Sequence, residues 1–168
     1  MVGTMSLVPQ IVDLVRVPVV AAGGMADGRG LVAALALGAD GVLLGTRFVA
    51  TRESTAPEFY KKSLLERDAD STTVTDAFTG QWARALRSRF TVDYQASGAP
   101  TLPSLLQSVA AQDIYGAAFK QQDPEHYPMF AGQSVGLIHN TPGAAEVVET
   151  IVREARNILA GLGARIQT

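Results

Sequence analysis

The feature that most constrains the fold of this chain is a strand–helix–strand pattern over residues 17–44. The first apolar run, 17–22, is short and rich in β-branched residues, which predicts a strand that is covered on both faces. Asp27 is expected to cap a helix over 28–37, and a second strand follows over 41–44. Two strands joined by a helix form a βαβ unit, so we expect the strands to be parallel and to end at the same sheet edge.

Glycine follows each predicted strand: Gly23-Gly24 comes after the first and Gly45-Thr46 after the second. Glycine permits a sharp turn and carries no Cβ that would keep a ligand away from the backbone. Ligands of parallel α/β proteins bind at this edge, where helix N-termini also favour anions. The paired stops predict a cup of backbone donors for a phosphomonoester. The simpler alternative is that the glycines only permit tight turns.

The composition favours a packed domain and excludes several classes of partner. The chain has 168 residues, 47% of them hydrophobic, a net charge of −2 and dispersed basic residues, so neither nucleic acid nor a membrane is expected as a partner. The absence of cysteine excludes disulfides and thiolate chemistry, and no metal site is predicted. Because the sequence lacks a signal peptide and a membrane span, we expect a cytoplasmic protein.

The remaining segments predict mainly helices. We expect helices over 7–15 and 143–162, and a third that runs from a Thr55–Glu58 capping box to Arg67. A helix is also expected over 81–90, with Trp82, Leu86 and Phe90 on its apolar side. Residues 102–122 are expected to form one broken helix or two short helices, with Asp113 as an internal cap. Residues 72–78 alternate weakly and suggest a short extended segment.

Two long motifs resemble the nitronate monooxygenase family, formerly called 2-nitropropane dioxygenases. The segment 21–48, AAGGMADGRGLVAALALGADGVLLGTRF, resembles the family's phosphate-binding motif, and 131–159, AGQSVGLIHNTPGAAEVVETIVREARNIL, resembles its C-terminal motif. The segment TMSLVPQIVDLV from Thr4 also fits. The resemblance implies an α/β fold, namely about the last two strands of an FMN-dependent (β/α)8 TIM barrel plus a mostly helical C-terminal segment.

The same resemblance implies a division of the chain and a set of site residues. Residues 1–50 would form the final βα units with the phosphate-binding loops, 51–142 a helical, lid-like insertion, and 143–168 a C-terminal helix that packs back on the barrel. The backbone of four residues would hold the FMN phosphate: Gly23, Gly24, Gly45 and Thr46. Ala22 and Leu44 would line its approach.

Three further side chains have two interpretations each. Tyr127 and Gln133 are candidates for substrate or flavin contact by resemblance, but Tyr127 is equally suited to pack beside Pro128, and Gln133 to stabilise its turn. Arg47 is suited to neutralise the phosphate. We expect instead that Arg47 forms an ion pair with a carboxylate, Asp27 or Asp40.

The activity implied by the resemblance is that of a flavin oxidoreductase with a small-molecule substrate. A carbon acid would lose a proton, its anion, such as an alkyl nitronate, would reduce FMN, and O2 would complete the reaction. FMN-dependent enoyl-acyl carrier protein reductases share the Gly-Gly, Gly-Thr-Arg-Phe and Ala-Gly-Gln segments and something like FKQQDPE. They are the alternative, and they would also need a reduced nicotinamide.

The sequence assigns no catalytic residue. The family's catalytic histidine lies in a segment upstream of the part that matches Thr4, whereas His126 and His139 match no catalytic position and are expected at the surface or in caps. A complete (β/α)8 barrel needs about 250 residues, so a truncated, non-catalytic fragment is a third hypothesis. The open strand edges predict homo-oligomers or poor solubility.

Overall fold

The computed structural model describes residues 2–166 and divides them into two compact units. The described parts of 1–54 and 137–168 form the first unit, and 55–136 form the second. Met1, Gln167 and Thr168, which fall in the predicted outer segments, lie outside the described residues. The elements, in chain order, are α1 (Thr4–Leu14), β1 (Val20–Ala22), α2 (Gly28–Ala36), β2 (Gly41–Leu43), α3 (Gly45–Val49), α4 (Glu58–Glu66), β3 (Thr72–Thr75), β4 (Ala83–Leu86), α5 (Arg89–Ser97), α6 (Leu106–Ala110), α7 (Gln112–Gln121) and α8 (Ala144–Ile166).

The predicted βαβ unit is confirmed in the first unit. Strands β1 and β2 pair in parallel, with Ala22 opposite Leu43, so their carboxyl ends lie at the same edge. The Asp27 side chain caps α2 by accepting hydrogen bonds from the backbone N–H groups of Arg29 and Gly30. Gly38 follows α2 with a φ of 89°, the left-handed conformation that commonly ends a helix.

The prediction that the first strand is covered on both faces is wrong for the described residues. Ala21 is buried in a cluster with Val8, Ala34 and Ala39. Val20, on the other face, is 56% exposed, and Leu43 of the neighbouring strand is 61% exposed. The face that carries Val20 and Leu43 is therefore exposed to solvent. In the part of the chain that the structure describes, this sheet has two strands.

Helix α8 packs closely against the start of α2. The backbone N–H of Gly28 donates a hydrogen bond of 2.9 Å to Oε2 of Glu154 on α8. Gly28 is buried, and a Cβ built on it would lie 2.4 Å from the Glu154 Cβ and 2.6 Å from the backbone nitrogen of Ala155. The close approach of the two helices therefore requires glycine at position 28.

The second unit contains a hairpin-like sheet where the sequence predicts a helix over 81–90. Strands β3 and β4 are antiparallel, and Ala85 and Leu86 are successive buried residues of β4. Successive buried residues fit a strand whose two faces are both covered better than one stripe of a helix. Helix α5 begins only after Ser88, which forms a capping box with Thr91. The predicted apolar anchor Trp82 is 74% exposed.

Two predicted helix caps are also wrong. Helix α4 begins at Glu58 after Pro57, and no side chain caps it. A cap at Thr55 would require a helical conformation at Ala56, which the following proline disfavours. The break between α6 and α7 confirms the two short helices, but Asp113 lies inside the first turn of α7 and does not cap it.

None of the described helices combines the length and the apolar character needed to span a bilayer. The lid-like role predicted for 51–142 stays a prediction.

Candidate functional site

The parallel pairing of β1 and β2 brings the two glycine turns side by side. Because Ala22 is opposite Leu43, the chain turns at Gly23-Gly24 and at Leu44-Gly45 from neighbouring positions on one sheet edge. Gly23 and Gly24 have φ values of 95° and 77°, a left-handed conformation that side-chain-bearing residues rarely adopt. The first turn therefore depends on its two glycines for its backbone shape.

The space beside these turns is open. A Cβ built on Gly24 or on Gly45 meets no atom within 4 Å, and the turn residues Ala22 and Gly23 are exposed. Thr46 is buried, with 9% of its surface exposed. The backbone is thus accessible at the strand ends, and these residues fit a phosphate group held by peptide N–H donors.

The Thr4 side chain contacts the first turn, a role for which the sequence offers no signal, and Asp27 caps the helix that follows the turn. The Thr4 hydroxyl donates a hydrogen bond of 3.1 Å to the carbonyl oxygen of Gly23. The Asp27 carboxylate, besides capping α2, accepts a hydrogen bond of 2.9 Å from Nε of Arg29. This contact holds the pKa of Asp27 below its ordinary value. The first turn is consequently tied to α1 through Thr4.

Arg47 does not form the ion pair that the sequence predicts with Asp27 or Asp40. Asp27 pairs with Arg29, and the Asp40 carboxylate accepts a hydrogen bond of 2.8 Å from the backbone N–H of Val19. Arg47 is 6% exposed, and its guanidinium donates to the carbonyl oxygen of Ala50 and to Asn140. Asn140 follows Arg47 by 93 residues, a pairing for which the sequence offers no signal.

The two predicted pocket residues belong to the second unit. The Tyr127 ring packs edge-on against Phe59 at a centroid distance of 5.2 Å, and Phe119 lies 6.1 Å from it. This aromatic packing is a structural role beyond the predicted contact with Pro128. Gln133 is exposed and begins a 3₁₀ turn over Gln133–Leu137.

The two histidines offer no metal site. Nδ1 of His126 lies 2.6 Å from Oδ2 of Asp123, and this hydrogen bond holds the pKa of that carboxyl below its ordinary value. His139 is exposed. Between residues 2 and 166, no group of three or more histidine and carboxylate side chains is arranged to hold a metal ion.

A cavity of about 310 Å³ lies in the first unit, and Arg47, the residue after Thr46, is part of its wall. Its walls come from the start of α2, the first turns of α8 and residues 137–142, and none of the six predicted phosphate contacts lines it. The candidate phosphate site is instead an exposed edge of the sheet.

Comparison with known proteins identifies the family. The model of the nitronate monooxygenase family matches residues 1–154 of the chain. The chain belongs to the nitronate monooxygenase family. A probable nitronate monooxygenase of Staphylococcus aureus (strain MSSA476) is 39% identical to it over 160 residues, which are 95% of this chain and 44% of the relative. This nitronate monooxygenase family member therefore spans less than half the length of the curated relatives that it matches.

Superposition on solved structures shows the fold of this family member. Nitroalkane oxidase from Streptomyces ansochromogenes superposes with a TM-score of 0.88 at 34% identity, over 96% of this chain and 46% of that one. FabK from Thermotoga maritima superposes with a TM-score of 0.82 at 34% identity, over 98% of this chain and 52% of that one. The predicted α/β fold, a partial TIM barrel, is confirmed.

Proposed function

We propose that this chain forms the FMN-phosphate end of a nitronate monooxygenase-type oxidoreductase, which oxidises alkyl nitronates with O2. The observation that carries the proposal is the pair of open glycine turns at one edge of the β1–β2 sheet. Membership of the nitronate monooxygenase family supports the reaction class.

The residues of this chain would bind and orient the cofactor. Backbone N–H groups of the two turns would hold the phosphate, and Ala22 and Leu44 would line its approach. When bound, FMN supplies the acceptor for the electrons of the substrate. Tyr127 and Gln133 are proposed to contact flavin or substrate. We assign the general base to no residue of this chain, and we propose a cytoplasmic protein that associates with copies of itself.

An FMN-dependent enoyl-acyl carrier protein reductase is the second candidate, because FabK superposes on nearly the whole chain. Flavin absorbance separates the two reactions. With FMN supplied in excess and oxygen removed, we expect ethyl nitronate to bleach the flavin and O2 to restore its colour. Bleaching by a reduced nicotinamide, with reoxidation by an enoyl thioester and no response to nitronate, would favour the reductase. No bleaching by either substrate would favour a fragment without catalysis.

The chain by itself is expected to bind FMN weakly. Hydrogen bonds to a charged group contribute about 1.5–3 kcal/mol each, so three or four good donors provide about 6 kcal/mol before ordering costs. Micromolar affinity requires about 8 kcal/mol. Because the exposed turns provide donors for the phosphate but no enclosing wall, we expect a dissociation constant above about 10 μM by calorimetry. A submicromolar value would contradict this expectation.

A further inference from the structure

A second cavity, of about 470 Å³, lies in the second unit between strand β3 and helix α5. One of its walls is formed by the consecutive residues 73–76, and another comes from α5 and the residues that follow it. Among the described residues, those of β4 do not line it. Consecutive residues of a strand point to opposite faces, so a wall that includes all of them is the edge of the strand and not one of its faces. We call this cavity the edge groove.

The register of the hairpin shows which backbone groups this edge presents. The backbone N–H of Arg87 donates a hydrogen bond of 2.7 Å to the carbonyl oxygen of Ser71, and in an antiparallel ladder hydrogen-bonded pairs alternate with non-hydrogen-bonded pairs. Val74 is opposite Arg84, three positions along from Ser71, and therefore belongs to a non-hydrogen-bonded pair. The same alternation requires the Arg84 carbonyl to face away from β3, where it accepts a hydrogen bond from Ala131. The N–H and C=O of Val74 consequently point away from β4, on the side of the edge groove.

Strand β3 has none of the usual protection of a sheet edge. Natural edge strands are commonly shielded by lysine, proline or a bulge, whereas β3 has the sequence Thr-Thr-Val-Thr and a continuous register with β4. Its β-branched residues favour the extended conformation. An exposed strand edge is what PDZ and PTB domains use to bind an extended peptide as an added strand.

The two ends of the edge groove differ in chemistry. Asp76 and Trp82 adjoin the last pair of the ladder, Thr75 opposite Ala83, and both line the groove. The Trp82 side chain is exposed there. Arg87, which is also exposed, lines the groove beyond the other end of β4. Five residues separate Trp82 from Arg87, which corresponds to about 16 Å of extended chain.

We propose that the edge groove binds an extended peptide of a partner protein, which adds to β3 as an antiparallel strand. The peptide places an apolar side chain on Trp82 and, five positions later, a carboxylate beside Arg87. Charge sets this direction, because Asp76 repels a carboxylate from the Trp82 end and Arg87 attracts one at the other. The backbone of Val74 pairs with the middle of the peptide. This site is independent of the two glycine turns.

The fluorescence of Trp82, the single tryptophan of the chain, reports the test. The probe is the peptide acetyl-Leu-Thr-Val-Thr-Thr-Glu-amide, titrated to millimolar concentration against the full chain. Its matched control carries a methyl group on the valine nitrogen, which removes the N–H that the Val74 carbonyl would accept and changes no side chain. We expect the first peptide to shift the Trp82 emission to shorter wavelength and to move the Val74 amide resonance. The methylated peptide should do neither.

Three variants separate the backbone pairing from the charge. Val74→Pro removes the outward N–H, and proline is tolerated on an edge strand where the N–H lies outside the ladder, so this variant should lose peptide binding and keep its melting temperature. Thr73→Pro removes an N–H that pairs with Ala85 and should melt earlier. Arg87→Gln should bind the glutamate peptide about two- to fivefold more weakly, the effect of an exposed ion pair. Its affinity for the same peptide with glutamine in place of glutamate should equal that of the wild type.

The outcomes that contradict the proposal are distinct. Equal binding of the methylated peptide would refute strand addition, and this result depends on no variant. Absence of any response of Trp82 and Val74 to the unmethylated peptide would reject the site. Unchanged affinity of Arg87→Gln for the glutamate peptide would refute the carboxylate contact. An emission shift that rises with protein concentration without peptide, and is lost in Val74→Pro, would show that a second copy of this chain occupies the edge, which would overturn the proposed partner.

Discussion

Gly45→Val is expected to weaken FMN binding by at least about tenfold, which corresponds to the loss of one charge-assisted hydrogen bond. The valine side chain would occupy the open space from which the turn faces the phosphate. The position suits the test because a Cβ on Gly45 meets no atom within 4 Å, so the fold itself has room for the substitution. Gly45 also lies outside the left-handed region, unlike Gly23 and Gly24, so the change introduces no backbone strain.

Gly41→Val is the matched control for this prediction. Gly41 begins β2, at the opposite end of the strand from Gly45, and a Cβ there also meets no atom within 4 Å. The same substitution at the far end of β2 should leave FMN binding unchanged. Binding is followed through the amide resonances of Gly24 and Thr46, and, in protein that carries its flavin, through the yellow colour. Normal flavin stoichiometry in Gly45→Val would argue against the phosphate cup.

Gly28→Ala is expected to destabilise the fold by about 2–3 kcal/mol and to lower the melting temperature by about 5–10 °C. The added methyl group would overlap the Cβ of Glu154 and the backbone nitrogen of Ala155, which lie 2.4 and 2.6 Å from its position. Because one of these atoms is main chain, a side-chain rotation does not relieve the overlap. The helices α2 and α8 would have to move apart, and the hydrogen bond from Gly28 to Glu154 would lengthen.

Gly161→Ala provides the comparison within α8. A Cβ at position 161 meets no atom within 4 Å, and alanine favours a helix over glycine by up to about 1 kcal/mol. In thermal unfolding, the melting temperature of Gly28→Ala should therefore lie below that of the wild-type protein, and the melting temperature of Gly161→Ala should equal or exceed it. Equal melting temperatures for the two variants would show that the α2–α8 contact adapts to the extra atom.

The local features of the βαβ unit were predictable from the sequence because each has a short-range cause. The β-branched run ending at Ala22 favours a strand, and Asp27 caps the helix through N–H groups only two and three residues away. The parallel pairing follows from the connection itself. The relative placement of the two glycine turns was therefore predictable, whereas ligand binding at that edge stays a prediction.

The features that failed depend on partners outside the segment from which they were predicted. Arg47 has two carboxylates nearby in the chain, but its partner is Asn140, which only the folded first unit brings to it. Residues 81–90 have apolar spacing that suits a helix, yet β3 provides a backbone ladder for β4, and Trp82 becomes a surface residue. The sequence offers no signal for the contact with Asn140, and the weak alternation over 72–78 indicates an extended segment without indicating that β4 pairs with it. Tertiary pairing overrides local preference at both places.

The first unit consists of two chain segments, 1–54 and 137–168, which are synthesised at different times because the second unit lies between them in the sequence. Residues 55–136 leave the ribosome as a continuous stretch, whereas α2 must wait for α8, which is translated on the order of ten seconds later at about 5–20 residues per second. During that interval the nascent chain presents the surface around Gly28 uncovered. The second unit therefore has all its own residues available before the first unit does, and a chain whose synthesis stops before Ala144 has an α2 without α8 to cover Gly28.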